Sequence, residues 1–208
     1  MSNLLSWEYE QAAANDGAKV IVGIDEAGRG CLAGPVVAGA CVFLERQSWP
    51  EGLNDSKKLS RAQRRRLFDE ITVSGALKWA VGVATVEEID RVNILQATFL
   101  AMQRALAGID RQADIALIDG SQMPSLTVKI QPIVKGDGKS PSIAAASILA
   151  KETRDRMMEE AEHKFPGYEF ATHKGYGTAK HLAALERLGP CEIHRRSFAP
   201  VTQCSFKF

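Results

Sequence analysis

One stretch constrains this chain more than any other: Val20-Ile21-Val22-Gly23-Ile24-Asp25-Glu26-Ala27-Gly28-Arg29-Gly30-Cys31-Leu32-Ala33-Gly34-Pro35. Its short β-branched apolar run reads as a buried strand. The run ends in two adjacent carboxylates, with a cluster of glycines behind them. Successive strand side chains point to opposite faces. Two neighbouring acids at a strand end therefore cannot both enter a core, and burying even one ion unpaired is costly. The Gly28-Arg29-Gly30 segment bares backbone N–H and C=O groups to a ligand, with no Cβ in the way and positive φ allowed. Carboxylates beside bare backbone and one arginine suit a metal ion together with a phosphate. An ordinary Asp-Glu turn closed by flexible glycines uses the same letters, so the rest of the chain must decide.

A length of 208 residues fits one domain, or one domain with a small appendage, and is enough to bury a real core. No apolar run approaches the length of a membrane span. Met1 to Asn15 carries acids and lacks a basic-then-apolar signal pattern, which argues against export. Cys31, Cys41, Cys191 and Cys204 are dispersed and form no C-x-x-C pair, which speaks against zinc and against a disulfide framework. A reduced cytoplasmic setting is the economical expectation. The net charge is only +1, yet basic residues gather at Arg61–Arg66, Lys135–Lys139, His173–Lys180 and His194–Arg196. Such runs on a nearly neutral protein predict a local basic stripe of the kind a phosphate backbone needs.

Along the chain, residues 1–18 predict a short helix and a loop. Strands are expected at Lys19–Asp25 and Val36–Leu44, antiparallel neighbours if the loop between them is short. Ser60 caps a predicted helix to about Val73, and Leu77–Ala84 reads as a third strand. Thr85 and Asn93 start two helices, the second with Leu95, Phe99, Met102 and Leu106 as its apolar stripe. Ile115–Ile118 is a brief buried run that delivers Asp119 to its end, and Thr127–Val134 is a strand broken by Pro132. Ser140-Pro141 opens the longest helix, to about Lys164. Its first half is apolar all round, and its charged second half, Lys151–Glu162, is expected to reach solvent. A helix over Thr178–Leu188 and a loop through Phe198 complete an α/β chain with a largely helical C-terminal quarter.

Four acids stand out by position: Asp25, Glu26, Asp119 and Asp137, each at a strand end or in the glycine-rich segment after one. Clustered carboxylates repel, so their pKa values should rise unless a cation fills the site. Hard oxygen donors select Mg2+ or Mn2+ over zinc. Two such ions suit phosphodiester hydrolysis.

The segments Gly23–Gly30, Asn54-Asp55-Ser56-Lys57-Lys58-Leu59-Ser60, Ile118-Asp119-Gly120, Val134–Ser140 and His173-Lys174-Gly175-Tyr176-Gly177-Thr178 together resemble bacterial ribonuclease HII. They stand in that family's order and cover nearly the whole chain, and the closing His194-Arg195-Arg196-Ser197-Phe198 fits as well. The resemblance implies an α/β RNase H-like fold: a central mixed β-sheet flanked by helices, with a mostly helical C-terminal part. It implies a single catalytic domain over 1–208, in which about 165–208 is an appendage contributing to substrate binding. The implied activity is cleavage on the 5′ side of ribonucleotides, in RNA–DNA hybrids and at single ribonucleotides in duplex DNA, leaving 3′-hydroxyl and 5′-phosphate ends. Ribonucleotide excision repair by a monomeric cytoplasmic enzyme, with Mg2+ or Mn2+ as cofactor, is the implied setting.

Under this resemblance Asp25, Glu26, Asp119 and Asp137 are the metal-binding acids. Gly28, Arg29 and Gly30 form the backbone loop that senses the ribose 2′-hydroxyl, and Tyr176 packs on the following deoxyribose. Those roles make physical sense, since the 2′-hydroxyl is the only chemical difference at an embedded ribonucleotide. Lys57, Lys58 and Lys174 are candidate phosphate contacts. Cys31 stands where the family usually has proline, which predicts a slightly less rigid turn. Asp155 lies four residues after Lys151, so a helical ion pair is expected. His163, His173, His181 and His194 show no metal spacing. The competing expectation is a non-catalytic nucleic-acid-binding module whose acids only balance the basic clusters.

Overall fold

The structure, a computed structural model, describes residues 5–205. Five strands form one mixed sheet: β1 (Ile21–Ala27), β2 (Val36–Phe43), β3 (Leu77–Ala84), β4 (Ile115–Asp119) and β5 (Lys129–Ile133), in the order β3-β2-β1-β4-β5. The first three are antiparallel neighbours, whereas β4 runs parallel to β1 and β5 parallel to β4. Among the described residues eight α-helices surround them: α1 (Glu8–Asn15), α2 (Arg61–Val73), α3 (Val86–Val92), α4 (Ile94–Ala107), α5 (Pro141–Lys164), α6 (Phe170–His173), α7 (Ala179–Leu188) and α8 (Ala199–Ser205).

Strand alternation divides β1 between two cores. Val22 and Ile24 pack with α4, while Ile21 packs beside Ile143 of α5. The helix starts match the sequence signals. Ser60 and Thr85 each form a capping box, Asn93 accepts the N–H groups of Leu95 and Gln96, and Ser140 caps α5 ahead of Pro141. Glu10 of α1 is buried against that same end, where it accepts the Ser140 hydroxyl at 2.6 Å and the Ser142 N–H at 3.1 Å.

Several expectations need correction. β1 runs two residues further than predicted, because Glu26 and Ala27 still pair with Ala38 and Val37 of β2. Pro132 does not break β5, since an edge strand tolerates its missing N–H. The face that α4 presses on the sheet is Ala97, Ala101 and Ala105 with Met102, whereas Leu95, Phe99 and Leu106 are only partly buried. Close approach is the cause: a Cβ at Gly82 of β3 would lie 2.1 Å from the Ala101 carbonyl oxygen, so only small residues fit there.

The second half of α5 does not simply face solvent, for Glu152, Arg154 and Asp155 are all buried. Helix α2 lies along it, and its arginines pair inward: Arg64 with Asp155 at 3.5 Å, Arg65 with Glu152 at 3.2 Å, and Arg61 with Glu159. The basic run Arg61–Arg66 is therefore largely consumed by protein acids. The Lys151–Asp155 pair forms as expected, at 2.7 Å. Helices α6 and α8 carry no strong sequence signal and fall on segments for which the sequence predicts no element.

Candidate active site

Sheet register assembles the acids. Ile24 of β1 lies opposite Ile118 of parallel β4, so the next residues, Asp25 and Asp119, emerge side by side at the carboxyl ends of both strands. Ligands of open α/β sheets bind at such strand ends. Asp119 in turn lies opposite Ile133 of β5, and the chain beyond it makes a single 3₁₀ turn, Gly136–Gly138, that carries Asp137. The Gly136 N–H donates to Asp119 at 2.6 Å and fastens turn to strand. Carboxylate oxygens of Asp25, Asp119 and Asp137 lie within 4.8 Å of one another.

Glu26 points to the other face of β1. It stays outside this trio and accepts from Arg29 at 3.3 Å. Arg29 also donates to Gln122 at 3.0 Å. One cleft of about 210 Å³ nevertheless takes in Asp25, Glu26, Gly28-Arg29-Gly30, Ser56, Lys57, Asp119, Lys151 and Tyr176. An adjoining groove of about 370 Å³ is lined by Lys57, Lys58, Lys135, Asp55, Asp119, Asp137 and Gly138.

The charges at this sheet end are not balanced. Burial pushes Asp25 well above the usual carboxylate range, and the neighbouring Glu26 and Asp119 charges push it further. Asp119 is raised by burial and by Asp137, against the opposing Gly136 N–H bond. Glu26 is raised by burial despite Arg29. Lys57 donates to Asp137 at 3.0 Å; burial pulls its ammonium down, but that bond and the surrounding acids outweigh it and push it up. Three hard oxygen donors at one point, with a single exposed lysine as counter-ion, fit a hard divalent cation.

The other site residues are held from the backbone. Asp55 accepts the Lys57 N–H at 2.9 Å and shapes the turn that presents Lys57 and Lys58. Lys174 sits in a left-handed conformation, and its ammonium pairs with Glu159 at 2.7 Å rather than lying free. Tyr176 is 42% exposed, and the Lys151 ammonium lies 5.7 Å from the centre of its ring. Burial and the adjacent Cys31 thiol push the Tyr176 hydroxyl up. The Cys31 N–H donates to the Gly28 carbonyl at 3.4 Å, and Cys31 bridges to Tyr176 as a strand partner, so the turn is braced without proline.

Three of the histidines form a packed group behind Tyr176. Their partners assign the tautomers. His194 accepts the Cys191 N–H on Nδ1 at 3.0 Å and donates from Nε2 to His181 Nε2 at 3.1 Å; His181 donates from Nδ1 to the Tyr176 carbonyl at 2.9 Å. His173 stacks on His181 at 4.3 Å. Sequence reading missed Gln122 and Lys151 as site residues, for which short-range patterns carry no sign, whereas Lys135, singled out in the basic run Lys135–Lys139, lines the groove.

A sheet of this order with carboxylates at its central strand ends defines the RNase H-like class of nucleases. In agreement, ribonuclease H2 from Pyrococcus horikoshii OT3 superposes with a TM-score of 0.73 at 26% identity, over 90% of this chain and 98% of that one. The structure of the PCNA:RNase HII complex from Archaeoglobus fulgidus gives 0.65 at 27% identity, over 81% and 87%. Bst-RNase HIII, solved in complex with Mn2+, shares the fold at 20% identity with a TM-score of 0.72, over 93% of this chain and 71% of its own. The family model for ribonuclease HII matches residues 22–201. The ribonuclease HII proteins of Burkholderia pseudomallei (strain 668) and Burkholderia mallei (strain SAVP1) are each 56% identical over 185 residues, 89% of this chain and 86% of theirs. The chain belongs to the ribonuclease HII family, and it is a ribonuclease H. Among the described residues no helix is long and apolar enough to cross a membrane.

Proposed function

We propose that this ribonuclease cuts the phosphodiester bond on the 5′ side of ribonucleotides, both in RNA–DNA hybrids and at single ribonucleotides embedded in duplex DNA. It leaves 3′-hydroxyl and 5′-phosphate ends, uses Mg2+ or Mn2+, and works as a cytoplasmic monomer that opens ribonucleotide excision repair. The observation that carries this reading is the Asp25–Asp119–Asp137 cluster, opening onto a cleft shared with a bare glycine backbone and an exposed tyrosine ring.

Asp25, Asp119 and Asp137, with Glu26 beside them, hold the divalent cations. Bound there, such ions supply Lewis acidity for attack on the phosphorus and for the departing oxygen. The Gly28-Arg29-Gly30 backbone offers donors and acceptors to the ribose 2′-hydroxyl, which itself both donates and accepts. Tyr176 lays its ring on the next sugar and crowds out a second 2′-hydroxyl, which favours an RNA-to-DNA junction. Lys57 and Lys58 line the groove beside Asp137 and contact phosphates. Lys174 reaches a phosphate only by leaving Glu159. The segment after residue 165 contributes to substrate binding by carrying Tyr176.

The test is cleavage of a duplex with one ribonucleotide, beside an all-DNA duplex and a full RNA–DNA hybrid, in Mg2+ and in Mn2+, with both ends mapped. One nick immediately 5′ of the ribonucleotide and none in all-DNA is expected. A cut on its 3′ side, or none at all, would refute the reading.

A further inference from the structure

Residues 31–34 lie between two segments from later in the chain, with isolated bridges from Cys31 to Tyr176 and from Ala33 to His194. On one side the Leu32 N–H donates to the Gly175 carbonyl at 2.8 Å. On the other, the Arg195 N–H donates to the Leu32 carbonyl at 2.9 Å and the Gly34 N–H to the Ile193 carbonyl at 2.8 Å. Two arginines with no exposed surface lie beneath this patch, Arg154 of α5 and Arg195 of the closing loop. Among the described residues neither guanidinium forms an ion pair, and their hydrogen bonds all end on backbone carbonyls. Arg195 donates to Gly28 at 2.7 Å, Arg29 at 2.9 Å, Gly34 at 3.0 Å and Pro35 at 3.2 Å. Arg154 donates to Pro35 at 2.9 Å, Ala33 at 3.0 Å and Lys174 at 2.9 Å.

Burying two like charges without an acid is expensive. Burial and the charge of Arg154 pull Arg195 down to about 10. Apolar side chains would fill this space at lower cost, but they cannot grip carbonyls. A planar fork with fixed donor directions can. The loop is shaped around it: Gly28 has φ +99°, and a Cβ there would lie 2.1 Å from the Arg154 Nε. Asp90 of α3 anchors the closing loop from outside, accepting the Arg196 N–H at 2.9 Å, the Ser197 N–H at 3.0 Å and the Ser197 hydroxyl at 2.6 Å.

We infer that Arg154 and Arg195 are positioning residues for substrate selectivity: by clamping the carbonyls of Gly28, Arg29 and Ala33–Pro35 together with that of Lys174, they fix the Gly28-Arg29-Gly30 backbone relative to the Tyr176 ring. The inference rests on the sugar-reading roles proposed above for that loop and ring. Telling a ribonucleotide followed by a deoxyribonucleotide from continuous RNA takes two readings of adjacent sugars. Both readings are useful only at a fixed separation. Neither arginine touches substrate; each acts through the backbone it holds.

The experiment compares kcat/KM on a duplex with one ribonucleotide and on a duplex with one all-RNA strand, for the wild type and for Arg154→Lys, Arg195→Lys and Asp90→Asn. The lysines keep the charge and remove the fork. Misplacement of reacting groups by an ångström costs on the order of a hundredfold, so the two lysine variants should lower the ratio of the rates by about tenfold or more. Asp90→Asn, which loosens only the closing loop, should lower it by about threefold. Mn2+ affinity of the Asp25, Asp119 and Asp137 carboxylates, to which neither guanidinium donates, should stay within about twofold, read by electron paramagnetic resonance. A merely structural role would lower the melting temperature and both rates together while leaving the ratio at its wild-type value, and that result would overturn the inference. If the arginine variants do not fold, the Asp90→Asn ratio decides alone. Failure of the sugar-reading roles is distinguishable, because it shows as a wild type that does not discriminate the two substrates.

Discussion

Two clusters of like charge are buried in this molecule, and they are resolved in opposite ways. The guanidiniums of Arg154 and Arg195 meet carbonyl after carbonyl, and their positive charge is neutralised by dipoles fixed in place. The carboxylates of Asp25, Asp119 and Asp137 meet one another, a few N–H groups and one exposed lysine. The first cluster is complete within the protein and holds a loop. The second is left unbalanced, and so it has capacity for an external cation. Like-charge repulsion and burial are similar problems in both places; the count of satisfied partners separates scaffold from site.

The contrast predicts different responses to losing a charge. The largest effect is expected from Asp119→Asn, which should reduce cleavage of an RNA–DNA hybrid by about a thousandfold or more by removing a donor for the ions. The same change should leave the melting temperature equal or higher without metal, since one of three repelling carboxylates is gone. Thermal unfolding with and without Mg2+ checks both statements, and a large drop in stability would erase the distinction between the clusters.

A middle-sized effect is expected at the histidine group that supports Tyr176. Burial, then the neighbouring His181, depresses His194 from 6.5 to about 4 in the folded chain. His173, Arg196 and the Cys191 backbone also face it. The unfolded chain therefore binds the proton more readily. Stability from this residue is fully present above about 6.5 and is lost as pH falls toward about 4. Between pH values of about 7.5 and 5 the loss should be about 2 kcal/mol, read from denaturant midpoints, and it should shrink in His194→Asn. An unchanged difference in that variant would remove His194 from the account. The smallest effect belongs to the exposed Arg66–Glu70 pair at 3.0 Å, where Arg66→Ala should shift stability by less than about 0.5 kcal/mol.

Local signals made most of the fold legible. Caps at Ser60, Thr85, Asn93 and Ser140 mark four helix starts, and the apolar runs before Asp25 and Asp119 mark the two strands that meet. Strand ends rich in acid made the site legible in outline. What stayed hidden depends on long-range packing. The inward turn of the α2 arginines could not be seen without the facing acids of α5. The position of Glu26 across the strand from Asp25 follows from alternation, yet four acids in a row of motifs suggested one cluster. Arg154 did leave a trace: Ile143, Ser147, Ala150, Arg154, Met158 and Ala161 recur at helical spacing and are all buried, so a guanidinium stands inside the core stripe of α5.

The segment at residues 31–34 takes its neighbours from positions 175 and 193–195. On the ribosome, every carboxylate of the cluster has been synthesised long before those partners appear. Until they emerge, residues 31–34 have nothing to lie between, and Arg154 has no Lys174 carbonyl to hold. The three acids thus precede in the chain every partner that braces residues 31–34, and the proposed selectivity waits on the final residues.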